Sequence, residues 1–511
     1  MAISHRHPLT LTLLPLLWLA ACAPEGSGDT STGGFDSNAD PGTEEDESDD
    51  VPGDGDGDPG DGDPGDGDPG DGDPGDGDGD PSDGEEGDTE GVKFDLSPIG
   101  DLGEGQGGPG GPGSCRASET YGAAGNFPQF EDPAYAPFLD KTIAIVTHHN
   151  WDGPPINYSL TIVDISGDPP PPNMNYLAPL YRRPEWTLTN LGKIFGLTLD
   201  SYGNLYVAAS TVHGANSSPG LIKKIDGVTG EITTFATLPN NGPALGNLNY
   251  DCVSETIYVS NHEDGRIYQL DMDGQVVSTY HHATGDVTIG TANDPGEPNG
   301  VFAPLGQRPW AVQSHAGRLY YSVWVENGGG NAIENNSVWS VAYVDDDGII
   351  DPATAVKELE VPGVGGGTGS QPVSDISFAH NGWMLVAQRT MGSDNSTGAH
   401  QSTTFEYDYQ NGDWIFQGTT YIVGELLPYS AAGGVDHDFV ENGYVWMTGD
   451  ALDFYTPNVV YGLQGTPYGG GGIEVSTLID LDHEVTQQDK TVYGDVELPI
   501  PGDVSPVPPP G

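Results

Sequence analysis

The chain has 511 residues, with 77 acidic against 15 basic side chains and a formal net charge of −62. Residues 23–114 contain 30 acids and one base, and residues 115–511 contain 47 acids and 13 bases. Both parts would repel nucleic acid and anionic lipid headgroups, so the composition excludes a nucleic-acid partner. The second part is long enough, and rich enough in Trp, Tyr, Val and Ile, to bury a substantial core.

The N-terminus has the parts of an export signal. After a basic start, Leu9 to Leu19 is mainly apolar and too short to cross a bilayer. The sequence Leu-Ala-Ala-Cys that ends at Cys22 resembles the bacterial lipobox. The resemblance implies a signal peptide over residues 1–21, lipidation of Cys22 and, because Ala23 follows, sorting to the outer membrane. The alternative is an ordinary secretory signal with a chance cysteine.

Residues 22–114 form an acidic linker that is poor in aliphatic side chains. Within it, Gly53 to Asp80 is a near-regular repeat of Gly-Asp-Gly-Asp-Pro, whose period differs from that of collagen. Such a segment cannot bury enough apolar surface to fold, and its charge and prolines favour an extended chain. We expect a disordered stalk. The alternative is a calcium-binding module, although the ligand order of an EF-hand is missing.

From residue 115 onward the chain repeats one hairpin, in which an apolar strand, a Gly, Asn or Asp turn and an aromatic-rich strand follow one another. Two further strands follow most of these hairpins. The hairpins, spaced by roughly 50 to 64 residues, lie at 196–210, 245–260, 309–324, 373–388 and 433–449. Four strands per unit at this spacing predict a β-propeller.

A sixth unit is divided between the two ends of the domain. Segments 141–148 and 159–166 supply strands near its start, and a strand around Thr491–Leu498 would complete it from the C-terminus. We therefore predict an all-β, six-bladed β-propeller over residues 115–500, followed by a Pro-rich disordered tail over residues 501–511. Seven blades or a pair of sandwiches are the alternatives.

The hairpin pattern resembles that of the six-bladed propellers of the NHL and gluconolactonase-like superfamily. A pattern of this kind indicates fold better than function, because propellers host many unrelated activities. The gluconolactonase-like enzymes hold a divalent metal with Glu, Asn and Asp near the axis. The resemblance implies Asn249, Asp375 and Asp436 as the corresponding inner-strand residues, but no metal-binding Glu can be aligned.

Cys115 and Cys252 are the thiols that remain after lipidation of Cys22. In an oxidising compartment an even pair predicts a disulfide. The bond would close a loop of more than a hundred residues and contribute about 4–5 kcal/mol in the chain-entropy model. Two buried free thiols are the alternative.

In a propeller, the connections between the second and third strands of each blade and those between blades open on one face. The side chains on these connections define a predicted ligand face, consisting of His148, His149, Trp151, His213, His262, Asp264, Glu326, Arg389 and Asp450. Histidines at equivalent positions can form a metal or general-base cluster around the axis. Ordinary surface loops are the alternative, because no spacing of the His-x-His kind fixes two ligands on one element.

One turn groups acids closely enough for a weak cation site, formed by Asp345, Asp347 and Asp351. Calcium or another divalent cation would be its cofactor. A solvated hairpin tip is the alternative. The chain has no serine nucleophile elbow, phosphate-binding loop, dinucleotide fingerprint or Cys-x-x-Cys motif.

These observations lead to two functional hypotheses. The first is a lipid-anchored cell-envelope protein of the outer membrane, periplasmic or surface-exposed, which displays a non-enzymatic propeller for a protein or glycan ligand on the acidic stalk. The second is a metal-dependent, lactonase-like propeller hydrolase or lyase in the periplasm. The first is favoured, because an enzyme for small diffusing substrates gains little from a long charged tether.

Overall fold

The computed structural model describes residues 127–150, 158–166, 175–326, 335–363, 369–379, 382–425, 430–438, 443–453, 459–481 and 491–499. The predicted signal peptide, the linker and the C-terminal tail lie outside these residues. No helix in the described part of the chain has the length and hydropathy that a membrane span requires.

Runs of β-branched and aromatic residues between Gly, Asn and Asp turns form strands, since such side chains suit a pleated sheet. The first strands are β1 (Ile143–Asn150), β2 (Leu160–Asp164), β3 (Asn175–Tyr176), β4 (Leu180–Tyr181), β5 (Ile194–Leu199), β6 (Leu205–Ala209), β7 (Leu221–Ile225), β8 (Ile232–Thr237) and β9 (Leu245–Asp251). The next are β10 (Thr256–Asn261), β11 (Arg266–Leu270), β12 (Val276–His281), β13 (Asp286–Ile289), β14 (Arg308–His315), β15 (Arg318–Trp324), β16 (Asn336–Ala342), β17 (Val356–Val361) and β18 (Val373–Phe378). The last are β19 (Met384–Gln388), β20 (Met391–Ser393), β21 (Ser396–Thr397), β22 (Thr404–Gln410), β23 (Asp413–Tyr421), β24 (Ala431–His437), β25 (Tyr444–Asp453), β26 (Val460–Pro467), β27 (Thr477–Asp480) and β28 (Thr491–Glu497).

Helical structure in the described residues is confined to short turns. They are the 3₁₀ turns Ala136–Phe138 and Pro352–Thr354 and the one-turn helix α1 (Leu188–Leu191).

The strands form six blades, which confirms the predicted all-β, six-bladed propeller. From the innermost strand outward, the blades are β28-β1-β2-β4 (blade 1), β5 to β8 (blade 2), β9 to β13 (blade 3), β14 to β17 (blade 4), β18-β19-β22-β23 (blade 5) and β24 to β27 with β3 (blade 6). The innermost strands contact one another in the order β5, β9, β14, β18, β24 and β28, and β28 contacts β5 again. The ring is therefore closed.

The C-terminal strand closes this ring, as the sequence predicts. β28 is the innermost strand of blade 1 and pairs antiparallel with β1, so that His148 lies opposite Tyr493 and Ile145 lies opposite Glu497. The first blade thus combines residues from the two ends of the domain. This pairing removes the open strand edge that an unclosed ring would leave.

Buried apolar side chains fill the interfaces between neighbouring blades. Blades 1 and 2, for example, share Ile143, Ile162, Leu197 and Val207. A further apolar cluster lies at the upper end of the inner strands, where "upper" denotes the face that carries the connections between blades. It consists of Phe195, Val212, Trp310, Trp324 and Met391.

Cys252 lies in the turn between β9 and β10, where 8% of it is exposed. It is disulfide-bonded. Because Cys115 lies outside the described residues, the pairing of Cys252 with Cys115 remains a prediction.

Candidate functional site

The described residues of the predicted ligand face divide into a histidine group, an ion pair and three separate side chains. Trp151 lies outside the described residues. Most of the others are covered by protein, and those exposed by 6% or less are His148, His149, His213, His262, Arg389 and Asp450. They therefore form the wall beneath the upper face and not an open surface.

The histidine group consists of His148 and His149, near the end of β1, and His213, which follows β6. The rings of His149 and His213 stack with their centroids 5.9 Å apart, and Nε2 of His148 lies 2.8 Å from Oγ1 of Thr161. Burial lowers the pKa of His149 to about 4, and the pKa values of His148 and His213 are also well below their usual range. All three are therefore neutral near pH 7. Neither ring nitrogen of His213 has a hydrogen-bond partner among the described residues.

Arg389 forms a buried ion pair with Asp450, in which Nη2 lies 2.9 Å from Oδ2. Its Nη1 donates to the carbonyl oxygens of Ala432, at 2.8 Å, and Tyr493, at 3.1 Å. Oδ1 of Asp450 accepts from the backbone N–H of Tyr493 at 3.0 Å. The pair thus connects blades 5, 6 and 1, and its charged groups are occupied by protein.

His262 and Glu326 are also held by their neighbours. The ring of His262 packs edge-on against Trp310 at 5.2 Å, and burial lowers its pKa to about 3. Half-buried Glu326 accepts from the backbone N–H of Gln371 at 2.7 Å and from Nδ2 of Asn336 at 3.1 Å. These contacts join the loop after β15 to blade 5, so Glu326 has a structural role.

Carboxylates on the inner strands connect successive blades around the axis. Each accepts a backbone N–H of the next blade's inner strand, and the bonds are Val435 N to Asp375 Oδ2 (2.8 Å), Leu498 N to Asp436 Oδ2 (2.8 Å) and Leu197 N to Asp495 Oδ2 (3.1 Å). The other oxygen of each carboxylate accepts the N–H of the residue that follows it. The acids therefore fasten blades 5, 6, 1 and 2 to one another.

These axial acids lie close enough together to share protons. The side chains of Asp375 and Asp495 are hydrogen-bonded to each other, which requires a proton on one of them. Burial raises the pKa of Asp375 to about 7 and raises that of Asp495 well above its usual range. Burial and the neighbouring acids also raise the pKa of Glu497. The acids at the axis are therefore partly protonated near neutral pH.

Asp495 and Glu497 are missing from the residues that the sequence singled out. The sequence does contain a signal for Asp495. This residue follows a Gly or Ser on an inner strand, as Asn247 and Asp375 do. Aligning β28 with the other inner strands would have placed Asp495 at the axis.

The axial residues do not fit the metal centre that the gluconolactonase-like resemblance implies. Both oxygens of Asp375 and Asp436 already accept backbone N–H groups, as described above. Oδ1 of Asn249 accepts from Ser314 N at 2.8 Å, and its Nδ2 donates to Oε1 of Gln313 at 2.9 Å. In the described part of the chain, no three His, Cys, Asp or Glu side chains are grouped so that they could hold a metal ion.

The acids of the predicted weak cation site lie on and after the turn that follows β16. Two of them accept hydrogen bonds from nearby backbone N–H groups. Oδ1 of Asp345 accepts from Asp347 N at 3.1 Å, and Oδ1 of Asp351 accepts from Ala353 N at 3.0 Å, capping a 3₁₀ turn. Asp345 lines a cavity of about 200 Å³ that Asp347 and Asp351 do not line. The structure therefore does not bring the three carboxylates together around one ion.

A larger cavity, of about 340 Å³, lies beside the end of blade 3. Its walls come from blade 3 and from residues 290–307, the long connection between β13 and β14; we call it the blade-3 cleft. Blade 3 contributes Glu263, Asp264 and His281, and the connection contributes Asp294, Glu297 and Phe302 among others. Of the predicted ligand-face residues, Asp264 lines this cleft.

Hydrogen bonds that Glu263 accepts hold the two walls of the blade-3 cleft together. Its carboxylate accepts the backbone N–H of Asn241, at 2.5 Å, and that of Gly300 in the connection. The backbone N–H of Ala303 donates to the carbonyl oxygen of His262 at 2.8 Å. The cleft is therefore a preformed feature of the fold.

Acidic side chains dominate the electrostatics of the blade-3 cleft. Burial raises the pKa of Asp264 to about 6, and the charge of Glu297 contributes to this shift. Burial and the charges of Glu263 and Asp294 raise the pKa of Glu297 as well. One guanidinium balances part of this charge, since Nη2 of Arg266 lies 3.0 Å from Oδ2 of Asp294.

No protein-family model matches the chain, and no curated protein matches it. Among solved structures, the chain is similar to the periplasmic gluconolactonase of Pseudomonas aeruginosa, at 12% identity over 72% of this chain and 100% of that one, with a TM-score of 0.37. It is also similar to a nidogen/laminin complex, at 10% identity over 70% of this chain and 98% of that one, with a TM-score of 0.36. At these identities and TM-scores, the likenesses carry no argument about activity.

Proposed function

We propose that this protein is a lipid-anchored cell-envelope protein whose propeller is a binding module, and that the blade-3 cleft is its ligand site. The observation that carries the proposal is the cleft itself, a cavity of about 340 Å³ built by a long connection between two blades. Cavities of this size are typical of ligand sites, and binding residues are often placed on loops that a rigid scaffold positions.

The surroundings of the other polar groups favour binding over catalysis. Arg389 is paired with Asp450, and both oxygens of Asp375 and Asp436 accept backbone N–H groups. These side chains are occupied in joining the blades and border no open cavity in the described residues. The carboxylates of the cleft also accept hydrogen bonds from the protein, as Glu263 does from Asn241 and Gly300, but they border a cavity with room for a ligand.

The proposed location follows from the N-terminal sequence. A lipidated Cys22 would anchor the chain at the outer membrane, and residues 23–114 would carry the propeller away from the bilayer, into the periplasm or onto the cell surface. A protein or a glycan is the expected ligand. The lipid anchor would be the only contact with the membrane.

Changing Cys22 to serine tests the anchor. The wild-type protein is expected in the detergent phase of a phase-separation extraction, and Cys22→Ser is expected uncleaved or in the aqueous phase. If the variant distributes between the phases as the wild type does, the anchor is not at Cys22.

Blocking the blade-3 cleft tests the binding site. Gln307 lines the cleft and its side chain is half-buried, so Gln307→Trp would place a large ring in the cavity. Gln275→Trp, on the exposed turn after β11 of the same blade, is the matched control. We expect the detergent-solubilised full chain to bind ligands on glycan and peptide arrays, the cleft variant to lose that binding and the control to keep it. Binding that survives in Gln307→Trp would place the ligand site elsewhere.

The second candidate is the metal-dependent hydrolase or lyase. One observation favours it: His213 is fully buried beside His149, and neither of its ring nitrogens has a hydrogen-bond partner among the described residues. A neutral imidazole whose nitrogens have no hydrogen-bond partner among the described residues is the form that binds a metal ion, although this ring is closed off from the surface. Metal analysis after dialysis separates the two functions, because one tightly held divalent ion per chain, lost in His213→Ala, would favour the enzyme.

A further inference from the structure

We infer that the β20-β21 hairpin of blade 5 is a gate, which opens by local unfolding while the ring of blades stays closed. In its open state the gate gives small solutes access to His213 and His262 from the upper face. Three features indicate it: the weak attachment of the hairpin, the apolar cluster that its first residue seals, and the unpaired nitrogens around that cluster. The gate operates independently of the blade-3 cleft and of the lipid anchor.

The hairpin is a small element on the connection between the second and third strands of blade 5. Strand β20 has three residues and β21 has two, and together they form a two-stranded sheet of their own. Residues 392–396, which include the turn, are all exposed. A two-stranded hairpin is only marginally stable by itself, and such an element opens locally at a lower cost in free energy than the whole fold.

Hydrogen bonds fasten the base of the hairpin. Met391 and Ser370 exchange two backbone hydrogen bonds of 2.8 and 2.9 Å, and Oγ1 of Thr397 accepts from Nε of Arg389. When the hairpin lifts, water can replace the partners of these groups, so the net loss for each bond is small. The ion pair between Arg389 and Asp450 is fully buried and does not involve the hairpin strands.

An ion pair fastens the tip of the hairpin, and we call it the latch. In the latch, Oδ1 of Asp394 lies 3.0 Å from Nη1 of Arg308, the first residue of β14 in blade 4. The side chain of Arg308 is buried, whereas that of Asp394 is 54% exposed. Water therefore competes for the carboxylate, and a partly exposed pair of this kind contributes modestly to stability. Arg308 keeps other partners when the latch opens, because it also donates to the carbonyl oxygen of Ala303.

The first residue of the hairpin seals the apolar cluster at the upper end of the inner strands. The side chain of Met391 is fully buried and packs in this cluster with Phe195 and Val212 of blade 2 and with Trp310 and Trp324 of blade 4. Methionine is flexible and adapts to irregular surroundings, so this contact can open and form again. When the hairpin lifts, Met391 leaves the cluster and uncovers its other members.

Buried nitrogens without hydrogen-bond partners lie around the same cluster. His213 directly follows Val212, and neither of its ring nitrogens has a partner among the described residues. The same is true of Nε2 of His262 and Nε1 of Trp310. The ring of His262 contacts Trp310 and Trp324, with centroids 5.2 and 6.4 Å apart. Unpaired buried groups raise the free energy of the closed state, and water or a solute that enters through the open gate would pair with them.

Oxidation by hydrogen peroxide measures the opening, because a buried thioether reacts only when it becomes accessible. Met391, Met384 and Met447 are all fully buried, but Met384 and Met447 lie within the central strands of blades 5 and 6. Mass spectrometry of the detergent-solubilised full chain gives the rate at each methionine. We expect Met391 to be oxidised about tenfold faster than either control, or more, because local opening is less costly than unfolding of the ring.

The urea dependence distinguishes local opening from unfolding of the whole ring. Local opening exposes little surface, so urea concentrations below the unfolding transition should leave the oxidation rate of Met391 nearly unchanged. The rates of Met384 and Met447 should rise with urea, because these side chains become accessible only when the blades separate.

A pair of variants tests the latch. Asp394→Asn removes the charge that pairs with Arg308, and Asp413→Asn makes the same change at an exposed turn of blade 5. We expect oxidation of Met391 to accelerate about three- to fivefold in Asp394→Asn and to stay unchanged in Asp413→Asn. Met384 and Met447 should keep their wild-type rates in both variants, which would show that the ring itself has not loosened.

Acylation of histidine by diethyl pyrocarbonate tests the access that the gate provides. The reagent modifies neutral imidazole nitrogens, and His213, His262 and His437 are all buried. His437 lies at the lower end of β24, away from the hairpin, and serves as the control. We expect His213 and His262 to be modified faster than His437, and to accelerate together with the oxidation of Met391 in Asp394→Asn.

Three outcomes would overturn the gate. Equal oxidation of Met391, Met384 and Met447, with the same urea dependence, would mean that the cluster is uncovered only when the whole ring unfolds. An unchanged rate at Met391 in Asp394→Asn would mean that the latch does not hold the hairpin. Rapid oxidation of Met391 without faster modification of His213 and His262 would mean that the hairpin moves without giving access to the histidines.

Discussion

Replacing Asp375 by asparagine tests whether the axial carboxylates hold a proton in the folded chain. Asp375 is buried at the axis, is hydrogen-bonded to Asp495 and has its pKa raised to about 7, chiefly by burial. In the unfolded chain the same group ionises near pH 4. A carboxyl with a raised pKa contributes its full stability below the unfolded value, and this contribution is lost as the pH rises towards 7.

The size of the effect follows from the interval between the two pKa values. At 1.36 kcal/mol per pH unit, a pKa raised from 3.8 to about 7 corresponds to about 4 kcal/mol of lost stability. Roughly 2–3 kcal/mol of this loss falls between pH 5 and pH 8. Buried histidines act in the opposite direction: His149 and His262 have lowered pKa values, so their contribution is lost as the pH falls below 6.5. The pH profile of the wild type therefore contains both terms.

Comparison with the variant isolates the carboxyl. Asp375→Asn has no group that titrates, and its Nδ2 can donate to Asp495. The same nitrogen cannot accept the backbone N–H that one carboxylate oxygen of Asp375 accepts, so the variant also carries a loss of stability that does not change with pH. Urea unfolding of both chains at pH 5, 6.5 and 8 should show the variant gaining about 2–3 kcal/mol on the wild type across this range. Asp273→Asn, an exposed acid on blade 3, should show no such trend. A constant difference between wild type and Asp375→Asn from pH 5 to pH 8 would refute the shared proton.

Three further predictions concern stability. Arg389→Met leaves Asp450 buried without its partner and should cost about 3–5 kcal/mol in urea unfolding, and adding Asp450→Asn should restore part of this loss. Gly246→Ala would place a Cβ against Oγ of Ser260 and 3.0 Å from the carbonyl oxygen of Trp310, so it should cost about 1–3 kcal/mol. Gly285→Ala, where no atom lies within 4 Å of the added Cβ, tests the effect of positive φ alone. Deleting residues 53–80 should change the unfolding temperature of the propeller by no more than about 1 °C, because the composition of this segment predicts that it adds no core.

The blades could be predicted from the sequence because their signals are local. Each hairpin carries its own turn residues and apolar runs, and β5 and β6, for example, lie within the predicted segment 196–210 apart from the first residues of β5. Ring closure was predictable as well, since an incomplete first unit and a spare C-terminal strand have one simple way to pair.

Local sequence patterns could not predict the contacts between side chains that lie far apart in the sequence. Asp375 meets Asp495, and Arg389 meets Asp450, only because the ring brings different blades together. Ring closure also buries the histidines of the predicted ligand face. Local patterns place these histidines on surface loops, where they would be exposed to a ligand. The blade-3 cleft was missed because residues 290–307 have no periodic signal, although a long connection between blades is where a functional loop is often found.

The closing strand provides the most direct test of the whole architecture. Truncation after Leu481 removes β28, whose Tyr493 and Val496, with Leu498 just beyond, are each 1% exposed. At about 1.5–3 kcal/mol for each buried side chain, the loss approaches the entire stability of a typical domain, about 5–15 kcal/mol. Reducing the disulfide of Cys252 should cost less, about 2–5 kcal/mol. We therefore expect the truncated chain to lose its cooperative thermal transition, and a synthetic peptide of residues 491–499 to restore it in trans. A truncated chain that unfolds at the wild-type temperature would show that β28 does not hold the ring closed.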